Sequence, residues 1–159
     1  MNKFSTSLQT LIIVAVALAG SLVVYFVKGP PARLTNDEVK LTTVVNDWDG
    51  DVLWVDARKR EEWKRNGLPG SVLINLESDE DFDSMIAEAL PRINQAKRIV
   101  IYCGDSGCGT SHEVSKRLCG YGLGVKGDRT KSDPAANGPE IYVLYGGWDT
   151  LAKAGLVPQ

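Results

Sequence analysis

A single histidine, three cysteines and no surplus of basic residues remove most chemistries from this chain before any motif is read. One imidazole rules out a metal centre built on several histidines, and no CxxC pair or Cys/His cluster has zinc spacing. No metal and no cofactor are expected. An odd cysteine count cannot close a full set of disulfides within one chain. The net charge of -2 leaves no excess of Lys and Arg for phosphates, so no nucleic-acid partner is expected. The acidic run 77–83 and the basic cluster 58–65 lie in separate segments and read as solvated faces. What remains open is the chemistry of a thiol.

Charge is also missing from residues 4–27, and residues 11–27 are almost wholly apolar. A helix crosses the hydrocarbon core with about 20 apolar residues. Ala17-Leu18-Ala19 has the small-x-small pattern of a signal-peptide cleavage site, yet the apolar run continues past it to Val27. That continuation favours an uncleaved transmembrane anchor, residues 1–28, with 8–27 in the membrane. Gly29-Pro30-Pro31 breaks the helix and opens a linker, 29–33, before a soluble domain, 34–159. Lys3 and the amino terminus balance Lys28 and Arg33, so the flanking charges assign neither side of the membrane.

In the soluble part, strand-like and helix-like runs alternate. Leu34-Thr35-Asn36-Asp37-Glu38 resembles a helix start, with acidic residues in its first turn. Residues 52–56, 71–76, 98–103 and 141–145 read as strands, and 98–103 is the strongest of them. Residues 60–64 suggest a helical turn. Phe82, Met85, Ile86, Ala89, Leu90 and Ile93 recur at helical spacing, with Pro91 expected to end or kink that helix. Thr110-x-x-Glu113 matches a capping box opening a helix over 111–121, which Gly122 would stop. Residues 124–139 are polar and rich in Gly and Pro, and read as an exposed loop; a short terminal helix lies around 149–154. The pattern predicts an α/β domain around a mainly parallel sheet flanked by helices, preceded by one transmembrane helix.

Ligands of open α/β sheets gather beyond the carboxyl ends of the strands, and Cys103 stands at that end of the best one. Gly104-Asp105-Ser106-Gly107-Cys108-Gly109-Thr110 follows, leading through Ser111 into a helix. Glycines let successive N–H groups turn inward as an anion-holding concavity, and a helix N-terminus adds partial positive charge. Both favour a thiolate, the nucleophilic form of cysteine. Cys103 is therefore the candidate catalytic residue, and the loop from Gly104 to Ser111 the candidate substrate-binding segment. Cys119, inside an amphipathic helix, reads as a small buried hydrophobe. Cys108 is open to two readings, loop filler or redox partner. His112, in the first helical turn, reads as a surface residue, with a supporting general-base role as the alternative.

The chain from about Leu34 onward resembles the rhodanese homology domain. The resemblance rests on Val55-Asp56-Ala57-Arg58 with Glu62, on Leu68-Pro69-Gly70-Ser71-Val72-Leu73-Ile74-Asn75-Leu76, on Val100-Ile101-Tyr102-Cys103, and on Leu144-Tyr145-Gly146-Gly147-Trp148 with Ala154-Gly155-Leu156, in that order. It implies a rhodanese-like three-layer fold and a sulfur relay. Cys103 would take sulfane sulfur from thiosulfate, a persulfide or a polysulfide, hold it as a persulfide, and pass it to a thiol, a cyanide-type acceptor or a protein. Asp56 and Arg58 would support the site. Thr110 stands where many active members carry arginine, the loop is about two residues longer than their common form, and Gly67 replaces a histidine before the Pro-Gly turn. The missing arginine argues against the phosphatase and arsenate-reductase relatives, which grip an oxyanion through it. Two other functions fit the same residues: a thiol redox sensor or exchange protein using Cys103 and Cys108, and a catalytically silent rhodanese-like interaction module.

Overall fold

Arg98-Ile99-Val100-Ile101-Tyr102 is apolar on both faces after its first residue, which suits only a strand covered on both sides. In the computed structural model, which describes residues 35, 37–104, 107, 109–127 and 138–158, this strand is the centre of the sheet. The strands are β1 (Glu38–Val39), β2 (Leu53–Asp56), β3 (Val72–Leu73), β4 (Arg98–Tyr102), β5 (Val125–Lys126) and β6 (Glu140–Leu144). They lie in the order β1-β6-β4-β2-β3, with β5 also against β6, and every pair is parallel. The helices are α1 (Leu41–Asn46), α2 (Arg60–Asn66), α3 (Phe82–Ile93), α4 (Gly109–Gly120) and α5 (Gly147–Lys153).

Period-two alternation divides the core into two apolar layers. Ile99, Ile101 and Cys103 point to one face, where Ile86, Ala89 and Ile93 of α3 and Val114 and Leu118 of α4 cover them. Val100 and Tyr102 point to the other, covered by Leu41 and Val44 of α1 and Leu151 of α5. Each fully buried Ile or Leu contributes about 1.5–3 kcal/mol. The expected α/β architecture with a parallel sheet between helices is present. The expected anchor, residues 1–28, lies outside the described residues; among the described residues, no helix is long and apolar enough to cross a membrane.

Several local expectations are corrected. The segment around Asp37 and Glu38 does not start a helix: Glu38 and Val39 pair with Val143 and Leu144 as β1. Pairing and the burial of Val39 override the local capping signal. The strand expected over 71–76 is regular only at Val72–Leu73. Pro91 does not end α3 but sits inside it, two residues before its last residue, Ile93. The donor it lacks would have served the carbonyl of Ala87, which is on the exposed face where water can serve instead. Thr110 is within the first turn of α4, not at its cap. The loop expected over 124–139 includes a strand at Val125–Lys126, and residues 128–137 lie outside the described residues. The acidic and basic runs are not merely solvated: Arg60 donates to Glu80 at 2.7 and 2.6 Å, and Arg58 is 5% exposed.

Gly122 does stop α4, as expected. Its φ is 72°, and Gly122 N–H and Leu123 N–H donate to the carbonyls of Cys119 and Leu118 at 3.0 and 3.1 Å. A Cβ at Gly122 or Gly120 would meet nothing within 4 Å, so only backbone preference separates the two positions. Gly122→Ala is expected to lower stability by about 1 kcal/mol. Gly120→Ala, in helical conformation, is expected to raise it by about 0.5 kcal/mol. Urea denaturation of both variants checks the pair.

Candidate active site

The parallel sheet brings the carboxyl ends of β2, β4 and β6 to one edge, and the chain leaves β4 there at Cys103. The backbone of Ala57, just past β2, donates to the Tyr102 carbonyl at 2.8 Å, and Trp148 N–H donates to the Cys103 carbonyl at 2.7 Å. Cys103 is thus tied on both sides to the neighbouring strand ends. A cleft of about 210 Å³ opens at this edge, and Cys103, Gly104, Thr110, Arg58, Glu62 and Glu77 are among its walls. Cys103 is 2% exposed and closes the apolar layer of Ile101 and Val114. The sulfur-bearing residue therefore stands where core ends and cleft begins. Thr110, also on the cleft wall, belongs to the first turn of the twelve-residue α4, so a helix N-terminus borders the cleft.

Beneath the cleft lies a buried ion pair. Arg58 donates from its backbone N–H and Nε to Asp56 Oδ1 at 2.9 and 3.0 Å, and from Nη2 to Oδ2 at 2.8 Å. Nη1 donates to Asn66 Oδ1 at 3.2 Å. The guanidinium carbon is 5.6 Å from the Tyr102 ring centre and 5.1 Å from that of Trp148. Burial opposes the charge, but hydrogen bonding and attraction to Asp56 outweigh it and hold Arg58 above its ordinary value. Burial, reinforced by the Asp56 charge, also pushes the Tyr102 phenol well up. That phenol accepts from Leu68 N–H at 2.9 Å and donates to Ser71 Oγ at 3.3 Å, fixing the Pro-Gly turn.

Of the residues predicted from sequence, Cys103, Gly104, Thr110 and Arg58 meet at one cleft. Asp56 is behind Arg58, fully buried. Gly107 and Gly109 are exposed, while Asp105, Ser106 and Cys108 lie outside the described residues. Ser111 is fully buried, and its hydroxyl has no hydrogen-bond partner among the described residues; Ser115, one turn on, shares that condition. His112 is not a cleft residue. Its Nδ1 is 3.4 Å from Asp37 and its Nε2 is 3.5 Å from Glu38, so it joins α4 to β1.

Sequence reasoning missed Lys59 and Glu77 as cleft residues, and Trp148 and Asn66 as supports of Arg58. Trp148 Nε1 donates to the Asn66 carbonyl at 3.0 Å, a contact across more than eighty residues that no local pattern announces. A larger cavity of about 250 Å³ lies between α2, β3 and α3. Much of its polar lining is spent on the fold: Arg60 on Glu80, Arg92 on the Gly70 carbonyl, and Trp63 on Ser71. The smaller cleft is the one that Cys103 lines.

Residues 44–154 match a family described as the rhodanese-like domain. No curated protein matches the sequence. Among solved structures, a Bacillus halodurans protein is similar with a TM-score of 0.52 at 17% identity, over 77% of each chain. A thiosulfate sulfurtransferase from Pseudomonas aeruginosa is similar with a TM-score of 0.50 at 22% identity; the match covers 81% of this chain but 20% of that one. A 3-mercaptopyruvate sulfurtransferase from Leishmania major has a TM-score of 0.49 at 14% identity, over 80% of this chain and 38% of that one. At such identities the likeness to the first two is one of fold alone.

Removing one partner of a buried pair strands the other charge, which costs about 3–5 kcal/mol. Asp56→Ala is accordingly expected to destabilise the domain by about that amount, measured by chemical denaturation, because Arg58 keeps its charge in a buried place. A loss below about 1 kcal/mol would show that the pair does not hold the cleft floor.

Proposed function

Since the chain belongs to the rhodanese-like domain family, we propose that it is a sulfurtransferase in which Cys103 carries sulfane sulfur as a persulfide. The observation that carries this reading is the position of Cys103: at the carboxyl end of β4, lining a cleft that the first turn of α4 also lines. In the first half-reaction the Cys103 thiolate attacks the outer sulfur of a donor R–S–S⁻. A bond forms from Sγ to that sulfur, the donor's S–S bond breaks, and its electron pair leaves on R–S⁻. In the second, a thiol, cyanide or protein nucleophile attacks the carried sulfur and the Cys103 thiolate departs. Neither step needs an oxidant or a cofactor.

Negative charge is conserved through both steps, so the site must stabilise an anion throughout. The N-terminus of α4 offers N–H groups and partial positive charge, an electrostatic role like that of an oxyanion hole. Ser111 supports the same task. An unpartnered buried hydroxyl costs about 1–3 kcal/mol, and a side chain in a first helical turn leans back toward the loop before it. A persulfide in the cleft would give that hydroxyl an acceptor. Asp56 and Arg58 shape the floor, and the loop residues Gly104, Asp105, Ser106, Gly107, Cys108 and Gly109 complete the binding segment. Residues 8–27 anchor the domain to a membrane in this reading, placing sulfur transfer at a lipid surface.

The full-length protein in detergent, incubated with thiosulfate, an alkyl persulfide or inorganic polysulfide, is expected to gain sulfur on the Cys103 peptide by mass analysis. Cyanide should discharge it as thiocyanate, and Cys103→Ser should lose both signals. Absence of added sulfur from every donor would sink the carrier reading; loss of two hydrogens linking Cys103 to Cys108 would point to thiol redox exchange instead. Ser111→Ala is expected to slow turnover about tenfold without loss of stability, whereas Ser115→Ala, one turn further along α4, leaves turnover unchanged. Steady-state kinetics of the two variants side by side separates the site role from a packing role.

A further inference from the structure

The charges around the cleft are poorly matched to a donor that carries a second negative charge. Among the described residues, four charged side chains line it: Arg58, Lys59, Glu62 and Glu77. Arg58 is not open to an incoming anion. Its Nε and Nη2 are directed at Asp56 and its Nη1 at Asn66, so the fork that could clamp a sulfonate or carboxylate in two-point fashion is committed. Lys59 Nζ is 4.0 Å from Glu77 Oε2, and both are well solvated. With Arg58 balanced by Asp56, the described lining leaves one cation, Lys59, against two carboxylates, Glu62 and Glu77. The Glu62 charge is close enough to contribute to the raised Arg58 value. The sequence from Gly104 to Ser111 contains no Lys or Arg.

We propose that Glu62 and Glu77 act as a charge filter for the sulfur-carrying site, selecting persulfides borne on neutral or cationic molecules over donors with a further anionic group. The inference rests on the sulfurtransferase reading of Cys103 and narrows its donor class. The persulfide anion itself is required by the chemistry, and the N-terminus of α4 accommodates it. A remote sulfonate or carboxylate on the same donor lies against the rim, where like charge opposes it. A remote ammonium is attracted there. The reacting step is the same in both cases: Sγ bonds to the outer sulfur, the donor's S–S bond breaks, and the thiolate released takes a proton from solvent.

Two probes of nearly equal size isolate the remote charge: cysteamine persulfide, which carries an ammonium, and 3-mercaptopropionate persulfide, which carries a carboxylate. Loading of Cys103 in the full-length protein, followed by peptide mass at low ionic strength, is expected to be about tenfold faster with the ammonium probe. Raising the salt to several tenths molar should shrink the ratio toward one, as screened surface charges require. In the Glu62→Gln/Glu77→Gln double variant the ratio should fall about tenfold at low salt. Glu77→Lys should favour the carboxylate probe. Equal loading by both probes in the unmodified protein, or a ratio indifferent to the double variant, overturns the filter while leaving the carrier reading intact. Loading of Cys103 by neither probe removes both.

Discussion

A guanidinium whose side chain is 3% exposed is bound to a carboxylate that is fully buried, and the ends of separate chain segments converge on that pair. Arg58 and Asp56 close β2, Asn66 closes α2, Tyr102 closes β4, and Trp148 begins α5; each touches the guanidinium. Asn75, beyond β3, donates to the Arg58 carbonyl at 3.1 Å. A buried ion pair is weak evidence of net stability, because desolvation offsets most of the attraction. Its effect is on geometry. With the charge buried, its hydrogen bonds must be met from fixed directions, and meeting them sets where the carboxyl ends of β2 and β4 lie relative to each other.

That geometry has a chemical consequence. The arginine that lines the cleft with Cys103 is spent on structure, and the sequence from Gly104 to Ser111 contains none. In the proposed reaction, anion stabilisation then falls to backbone N–H groups and the dipole of α4, which serve one compact negative charge well. A large dianion needs a cationic clamp. The division of labour between a structural arginine and a main-chain anion site therefore bears on substrate class as much as on fold.

The parts legible in the sequence are those decided locally. Residues 98–103 announce a doubly buried strand because no other element hides four successive large apolar residues. Gly122 announces a helix stop because only glycine adopts its φ of 72° without strain. Asp-x-Arg followed by an early glutamate was legible through family resemblance, though not the directions in which Arg58 donates. What escaped was set by partners far along the chain. β1 carries a helix-start signal and becomes a strand because β6 offers its edge. His112 reads as a surface residue and is held by two carboxylates from that same misread segment. The acidic and basic runs look independent until α2 and the turn before α3 bring Arg60 to Glu80. Glu77 reaches the cleft the same way, so no spacing rule could assign it.

The burial of Cys103 looks at first like an argument against chemistry, since a thiolate in an apolar layer lacks the water that would solvate it. The alternation of β4 resolves the tension. Cys103 is the last residue on the face shared with Ile99 and Ile101, so its Cβ belongs to the core while its neighbours Gly104 and Thr110 already wall the cleft. A sulfur–sulfur bond is about 2 Å long. Taking up sulfane sulfur would thus carry the negative charge outward by that distance, from the apolar layer toward the helix N-terminus and the buried hydroxyl that lacks an acceptor. In the proposed reaction the loaded state is better solvated by the protein than the resting thiolate. A carrier gains from that ordering: sulfur is held once captured, and burial of the resting thiol keeps the empty cysteine from reagents that do not fit the cleft.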